Sequence, residues 1–224
     1  MIGQMAQLQK GSHLVVYGAG GHGRVVADAA RAAELEVMGF LDDGLREGEQ
    51  VLDWRVLGNA DWVRGRREVA VALGIGANDV RRRVTEALLQ RGAELATVVH
   101  PSAVISPYAS LGPGAVVFAL AVVNVGARVG QGAIVNSAAV LEHDVEIGEF
   151  AHVASNAALA GGARLGVEAM LGTGAVVLPG RAVGDRSVVG AGAVVSRDVP
   201  ADLVVAGVPA RHMQGRAAAR MPQR

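Results

Sequence analysis

The sequence predicts a small α/β half-Rossmann domain followed by an all-β left-handed parallel β-helix built from hexapeptide repeats. Three observations carry that expectation. An aliphatic residue returns at every sixth position from Val99 to Val195, through Ile105, Leu111, Val117, Val123, Val129, Val135, Leu141, Ile147, Val153, Leu159, Leu165, Leu171, Val177, Val183 and Val189. Four residues after most of these stands a small residue, usually alanine, as at Ala103, Ala121, Ala139, Ala157 and Ala175. Ahead of the run, short apolar stretches alternate with helical patterns around a glycine-rich turn. A fixed period is the signature of a repeat architecture and is weighed before local propensity.

A period of six matches neither the 3.6 of a helix nor the alternation of a free strand. It suits a chain that makes a short strand, turns a corner and repeats, with one aliphatic side chain per repeat pointing inward. Glycine pairs such as Gly112-Pro113-Gly114, Gly130-Gln131-Gly132 and Gly172-Thr173-Gly174 suit the corners. Three flats per turn close a triangular prism whose coils stack at roughly 4.8 Å. The expected divisions are 1–97 for the α/β domain, 98–200 for the prism and 201–224 for a C-terminal tail.

From the start of the chain, His13-Leu14-Val15-Val16-Tyr17 reads as a buried strand, Arg24 to Ala33 as a helix, and Val37 to Leu41 as a second strand ending in Asp42-Asp43. A helix from Asn59 to Arg67, a strand from Val69 to Gly74 and a helix from Asn78 to Gln90 follow. This alternation predicts a small parallel sheet. At about 95 residues it is too short for a two-half dinucleotide domain. Between the first strand and helix, Gly18, Gly20 and Gly23 satisfy G-x-G-x-x-G, with the acidic pair about twenty residues on. That loop admits a packing turn, a nicotinamide site, or a nucleotide-sugar pyrophosphate on the helix N-terminus. In the last reading His22 donates to a phosphate, and Asp42 or Asp43 accepts from a ribose or base.

Composition narrows the classes. Among 224 residues, 21 Lys and Arg balance 21 Asp and Glu, so nothing points to nucleic acid or a membrane surface. There is no cysteine, which excludes thiol chemistry and makes a reducing cytoplasm the expected compartment. No apolar run approaches the ~18 residues of a membrane span. Phe118, Leu120, Phe150 and Met170 fall off the inward register, and exposed apolar surface of that kind marks an interface. A trimer of prisms with clefts between subunits is the expected assembly.

Few polar groups in the prism can do chemistry. His143, flanked by Glu142 and Asp144, is either a solvated corner histidine or a general base whose charged form a carboxylate favours. Asn136 and His152 are candidate positioners or corner hydrogen-bonders. Beyond Pro200, Arg211 and Arg216 are either solvated or partners of a coenzyme phosphate.

Taken in order, Gly18–Val26 (GAGGHGRVV), Phe40–Asp43 (FLDD), Gly74–Asn78 (GIGAN), Asn136–Gly148 (NSAAVLEHDVEIG), His152 and Gly207–Arg211 (GVPAR) resemble the hexapeptide-repeat sugar acyltransferases typified by the sialic acid O-acetyltransferase and the bacillosamine N-acetyltransferase. The resemblance runs from about residue 13 to 215. It implies acetyl-CoA as acyl donor, His143 as catalytic base with Asp144 beside it, and Asn136 as a site residue. It further implies His152 near the acetyl carbonyl, and Gly20, Gly21, His22, Asp42, Asp43 and Asn78 around a nucleotide-linked sugar. Gly161, Gly174 and Gly192 then lie along the coenzyme between two subunits, with Arg211 the candidate for its phosphate. The expected reaction is direct transfer to the 4-amino group of a UDP- or GDP-linked amino-deoxysugar in surface glycan biosynthesis. O-acetylation of sialic acid or another sugar hydroxyl is the alternative. A zinc lyase of the carbonic anhydrase type is a third reading, which requires His100, His143 and His152 to converge on one metal.

Overall fold

The computed structural model describes residues 12–213. Its first unit is a six-stranded sheet. The strands are β1 (His13–Tyr17), β2 (Glu36–Leu41), β3 (Gln50–Val51), β4 (Trp54–Gly58), β5 (Ala70–Leu73) and β6 (Glu94–Leu95), in the order β3-β4-β2-β1-β5-β6. All neighbours run parallel except the β3–β4 hairpin. β1 is central and covered on both faces, which accounts for its unbroken apolar run from Leu14 to Tyr17. Helix α1 (Gly21–Ala32) lays Val26, Ala27, Ala29 and Ala30 on one side of the sheet, and α2 (Asn78–Gln90) lays Leu88 on the other.

Two local expectations are corrected. The helix expected over Asn59–Arg67 is a single 3-10 turn, Ala60–Val63, because Arg64 is extended and Gly65 turns the chain at φ 76°. The β3–β4 hairpin was not legible, since its turn residue Leu52 takes φ 53° without the glycine or asparagine that flags such turns.

From Val98 onward the chain winds as a parallel β-helix of three faces. Strands Val98–Val99, Val116–Val117, Ile134–Val135, His152–Val153, Met170–Leu171 and Val188–Val189 stack as the first face. Val104–Ile105 through Val194–Val195 form the second, and Ser110–Leu111 through Ala182–Val183 the third. Each strand pairs in register with the one eighteen residues on, as Val117 with Val135 and Leu141 with Leu159. The predicted inward aliphatics from Val117 to Val195 and the corner alanines from Ala109 to Ala193 make one buried column. Each fully buried aliphatic contributes about 1.5–3 kcal/mol.

The outward residues differ by face. The third face carries Ser110, Arg128, Glu146 and Arg164, with Glu146 paired to both arginines. The second carries Val104, Val122, Val140, Ala158, Val176 and Val194, an apolar stripe that no part of this chain covers among the described residues. The start of the first face is covered by the α/β domain, for Val98, Val116, Phe118 and Ile134 share a core with α1 and β1.

That docking corrects the surface expected at Phe118 and Phe150. Both are buried, at 2% and 3% exposure, beneath the α/β domain. Leu120 is exposed, and Met170 lines a cleft. The ladder also continues past Pro200. Val204–Ala206 adds to the first face beside Val188–Val189, and Arg211–His212 folds back on it antiparallel. Residues 201–213 therefore cap the prism, while Arg216, Arg220 and Arg224 lie outside the described residues. No helix among the described residues is long and apolar enough to cross a membrane.

Candidate active site

The strand order reverses beside β1, and the crevice at such a switch point is where open α/β sheets take ligands. The glycines there divide into two sets. A Cβ on Gly23 would overlap the Gly18 carbonyl oxygen, and one on Gly74 would stand 2.7 Å from it, so these glycines let β1, α1 and β5 close on one another. Gly20 and Gly21 face open space instead. Gly20 caps α1 with no side-chain hydrogen bond and no acidic residue in the first turn, leaving helix N–H groups directed outward. The N-terminus of α2, at Ala77 and Asn78, opens on the same space without a side-chain cap. Together with His22, His152, Met170 and Arg186 they line a cleft of about 670 Å³ between the domain and the first face of the prism.

Two imidazoles meet in this cleft. The His22 ring stands edge-on to Phe118 at 5.4 Å and 6.2 Å from His152, and its Nε2 is buried with no hydrogen-bond partner among the described residues. His152 Nε2 lies 3.1 Å from Asn136 Nδ2, and Asn136 Oδ1 accepts from the Ser137 N–H at 2.8 Å. Burial first, and then the Arg81 cation, push His22 down to about 4 and His152 to about 3. Both rings are neutral at pH 7.

A stability prediction follows. Unfolded histidines bind protons near their ordinary value of 6.5, whereas these two in the fold do not until about 4 and 3. Between those values the unfolded state holds more protons, so stability is full above about pH 6.5 and falls as pH drops through that window. Thermal melts at pH 7.5, 6 and 5 are expected to show a progressive loss, reduced in His22→Gln and His152→Gln. A flat profile would mean that the rings titrate normally in the fold.

The second constellation lies elsewhere on the prism. His143 and Asp144 occupy the corner between the second and third faces, both exposed, with His143 Nδ1 2.9 Å from Asp144 Oδ2. Asp144 sits at φ 60°, in the left-handed slot that glycine fills at other corners. Glu142 instead accepts from Asn124 Nδ2 at 3.0 Å. One coil on, Gly161 lies under the imidazole, where an added Cβ would stand 2.6 Å from His143 Cε1 and closer still to Nε2. An exposed imidazole whose Nδ1 is tied to a carboxylate and whose Nε2 is free is arranged to accept a proton.

The family domain described as PglD N-terminal domain matches residues 13–88. The acetyltransferase domain of PglB from Neisseria gonorrhoeae superposes with TM-score 0.85 at 37% identity, over 90% of this chain and 100% of that one. The same domain in complex with acetyl coenzyme A gives 0.86 and 38%, over 91% and 100%. PerB from Caulobacter crescentus, in complex with CoA and GDP-perosamine, gives 0.85 and 36%, over 90% and 97%. The chain belongs to this family of hexapeptide-repeat sugar acetyltransferases. The UDP-N-acetylbacillosamine N-acetyltransferase of Bacillus subtilis is 34% identical over 111 residues, and the aligned stretch spans about half of each protein, 48% and 51%.

Against the family's motifs, the structure distributes most of the expected site residues over the cleft and two corners of the prism. Gly20, Gly21, His22, Asn78 and His152 line the cleft. Asn136, Gly174 and Gly192 lie on the corner between the first and second faces, and the two glycines meet nothing within 4 Å of a Cβ. His143, Asp144 and Gly161 are on the next corner, across the second face. Asp42 and Asp43 turn back onto their own domain. Asp42 accepts from the Ala19 and Gly44 N–H groups at 2.9 Å each, and Asp43 accepts from Tyr17 Oη at 2.6 Å. The Asn78 amide bridges to the Glu168 and Ala169 carbonyls at 2.9 and 3.2 Å. Arg211 is exposed on the last strand and donates to the Ala210 carbonyl. His100, His143 and His152 are dispersed over different corners and faces, and no group of three or more His, Cys, Asp or Glu among the described residues gathers as a metal site. Sequence reasoning missed Arg81, which is fully buried behind the cleft-lining Ile75–Asn78 loop and donates to it.

Proposed function

We propose that the protein transfers an acetyl group from acetyl-CoA to the 4-amino group of a nucleotide-linked amino-deoxysugar, UDP- or GDP-linked, in the cytoplasm. The carrying observation is the pairing, in one chain of this family, of an uncapped two-helix cleft suited to a pyrophosphate with a carboxylate-oriented histidine over a glycine. A free sialic acid would leave that cleft without a role. In the reaction the neutral amine attacks the thioester carbonyl carbon, and a C–N bond forms. His143 Nε2 takes the proton from nitrogen, the C–S bond breaks, and the imidazolium returns the proton to the leaving thiolate as Asp144 holds the ring. The chain has no cysteine to carry the acetyl group as a thioester, and direct passage between the two substrates is the simplest route. The test is thiol release from acetyl-CoA with UDP-, GDP- and dTDP-linked 4-amino sugars and with free sialic acid. Turnover with an amino-sugar nucleotide supports the reading, and turnover with sialic acid alone overturns it.

The assembly is a trimer in which one subunit's His143 corner faces the next subunit's cleft. The support is geometric. His143 and the cleft lie on opposite sides of the second face, and that face is the apolar stripe from Val104 to Val194. Packing three such faces about a threefold axis buries the stripe and brings Gly161 opposite a neighbour's Gly174 and Gly192, forming a channel for the coenzyme. Mixing two inactive variants, His143→Ala and Gly20→Glu, by co-expression is therefore expected to restore activity. Random assembly pairs an intact corner with an intact cleft at about a quarter of sites. No recovery would place each site within a single chain.

A further inference from the structure

Arg81 is the largest fully buried side chain of the described residues, yet its hydrogen bonds all go to neutral oxygens. Nε donates to the Gly132 carbonyl at 2.7 Å, and Nη1 to the Ile75 and Gly76 carbonyls at 3.0 and 2.9 Å. Nη2 donates to Asn78 Oδ1 at 2.9 Å and to the Phe150 and Ala151 carbonyls at 2.6 and 3.4 Å. The guanidinium thus joins the loop after β5 to two coils of the prism, and Asn78 extends the join to the Glu168 and Ala169 carbonyls. Burying a charge in this way is expensive unless every donor is satisfied, which only a planar fork can do here. Apolar side chains at the same junction would leave the Gly132, Ile75, Gly76 and Phe150 carbonyls without these donors.

What the cation achieves is visible one bond further on. The Gly76 carbonyl that accepts from Arg81 also lines the cleft beside His152, where it favours a proton on the ring. On the ring's other side, the Ser137 N–H can only donate, so the Asn136 oxygen must be the acceptor it meets and Asn136 Nδ2 must face His152. His152 Nε2 is then an acceptor, and the ring proton belongs on Nδ1. We infer that Arg81 is a positioning residue for the acetyl transfer, clamping the Ile75–Asn78 loop to the prism so that the Gly76 carbonyl holds His152 as the neutral Nδ1–H tautomer with Nε2 turned to Asn136. In this arrangement His152 does not donate to an oxyanion. It orients the Asn136 amide, whose second Nδ2 hydrogen is left for the substrate. The positive end of the fork, close to both cleft imidazoles, reinforces the neutral state.

The inference rests on the proposed reaction for its catalytic consequence, but its structural core can be read without turnover. Long-range ¹H–¹⁵N correlation spectra of the histidine-labelled wild-type protein at pH 7 are expected to show His152 with a protonated Nδ1 and an unprotonated Nε2. A protonated Nε2, or a charged ring, overturns it. Arg81→Lys keeps the charge but not the fork. It is expected to fold, to scramble the His152 tautomer signals, and to raise KM for the nucleotide sugar about tenfold while KM for acetyl-CoA stays within about twofold. Unchanged imidazole signals and an unchanged KM in folded Arg81→Lys would also overturn the inference. An inactive wild-type protein with the expected spectrum would count against the proposed reaction alone.

Discussion

Replacing His143 by alanine is expected to lower turnover about 10²–10⁴-fold while leaving acetyl-CoA binding close to wild type. The imidazole is exposed, and its one side-chain partner is the equally exposed Asp144, so removing it creates no cavity and strands no buried group. Surface substitutions of this kind change stability by less than about 0.5 kcal/mol, which makes the activity loss readable as chemistry. What is lost is a proton acceptor at Nε2 and its orientation through Nδ1. Asp144 cannot substitute, because it sits on the far side of the ring from the space over Gly161 where the amine must approach. A polar isostere, His143→Asn, should fare no better, since an amide cannot take the proton. Steady-state kinetics with calorimetric titration of CoA would check this. Turnover within a few-fold of wild type would remove His143 as the base and leave the amine to lose its proton to water.

The prism was legible because each repeat states its inward residue locally. Leu141 or Val153 needs only its own six residues to be placed, and stacking then follows from register. The His143–Asp144 pair was legible for the same reason, being adjacent in sequence and bonded side chain to side chain. What depends on one domain meeting another was not. Arg81, Arg82 and Arg83 read alike along a helix, yet Arg82 and Arg83 make exposed ion pairs while Arg81 is swallowed by the junction. Phe118 and Phe150 break the repeat's polar exterior in the manner of an interface, and an interface covers them, but it is the chain's own α/β domain. The apolar stripe of the second face did have a signal. Residues just before the inward position recur as Val, Val, Val, Ala, Val and Val at 104, 122, 140, 158, 176 and 194, a period of eighteen hidden inside the period of six. Asp42 and Asp43 show the opposite limit. A carboxylate twenty residues after a glycine loop reads as a ligand contact, and here both side chains brace the domain's own loop and strand.

Gly161→Ala is expected to cost about 100-fold in kcat with the fold intact, the effect of moving a catalytic group by roughly 1 Å. Gly161 does not use the left-handed conformation, so alanine strains no backbone there. The added methyl instead meets the His143 ring, at 2.6 Å from Cε1 and 3.0 Å from Cδ2, and the imidazole must swing away from Asp144 to make room. Its neighbour Gly162 is the matched control. It sits at φ 67° with nothing within 4 Å of a Cβ, so Gly162→Ala meets no side chain but is strained by about 1–2 kcal/mol. The two alanines should therefore separate cleanly, one in kcat at constant melting temperature and the other in melting temperature at nearly constant kcat. The same pair distinguishes two roles for Gly161 itself. If this glycine serves only to let the coenzyme pass, Gly161→Ala will raise KM for acetyl-CoA and spare kcat at saturation. If it serves to seat the base, saturation with acetyl-CoA will not rescue the rate, because the ring remains displaced however well the donor is bound. A native kcat in Gly161→Ala would show that the imidazole works equally well elsewhere in its exposed arc, and that its bond to Asp144 does not set the rate.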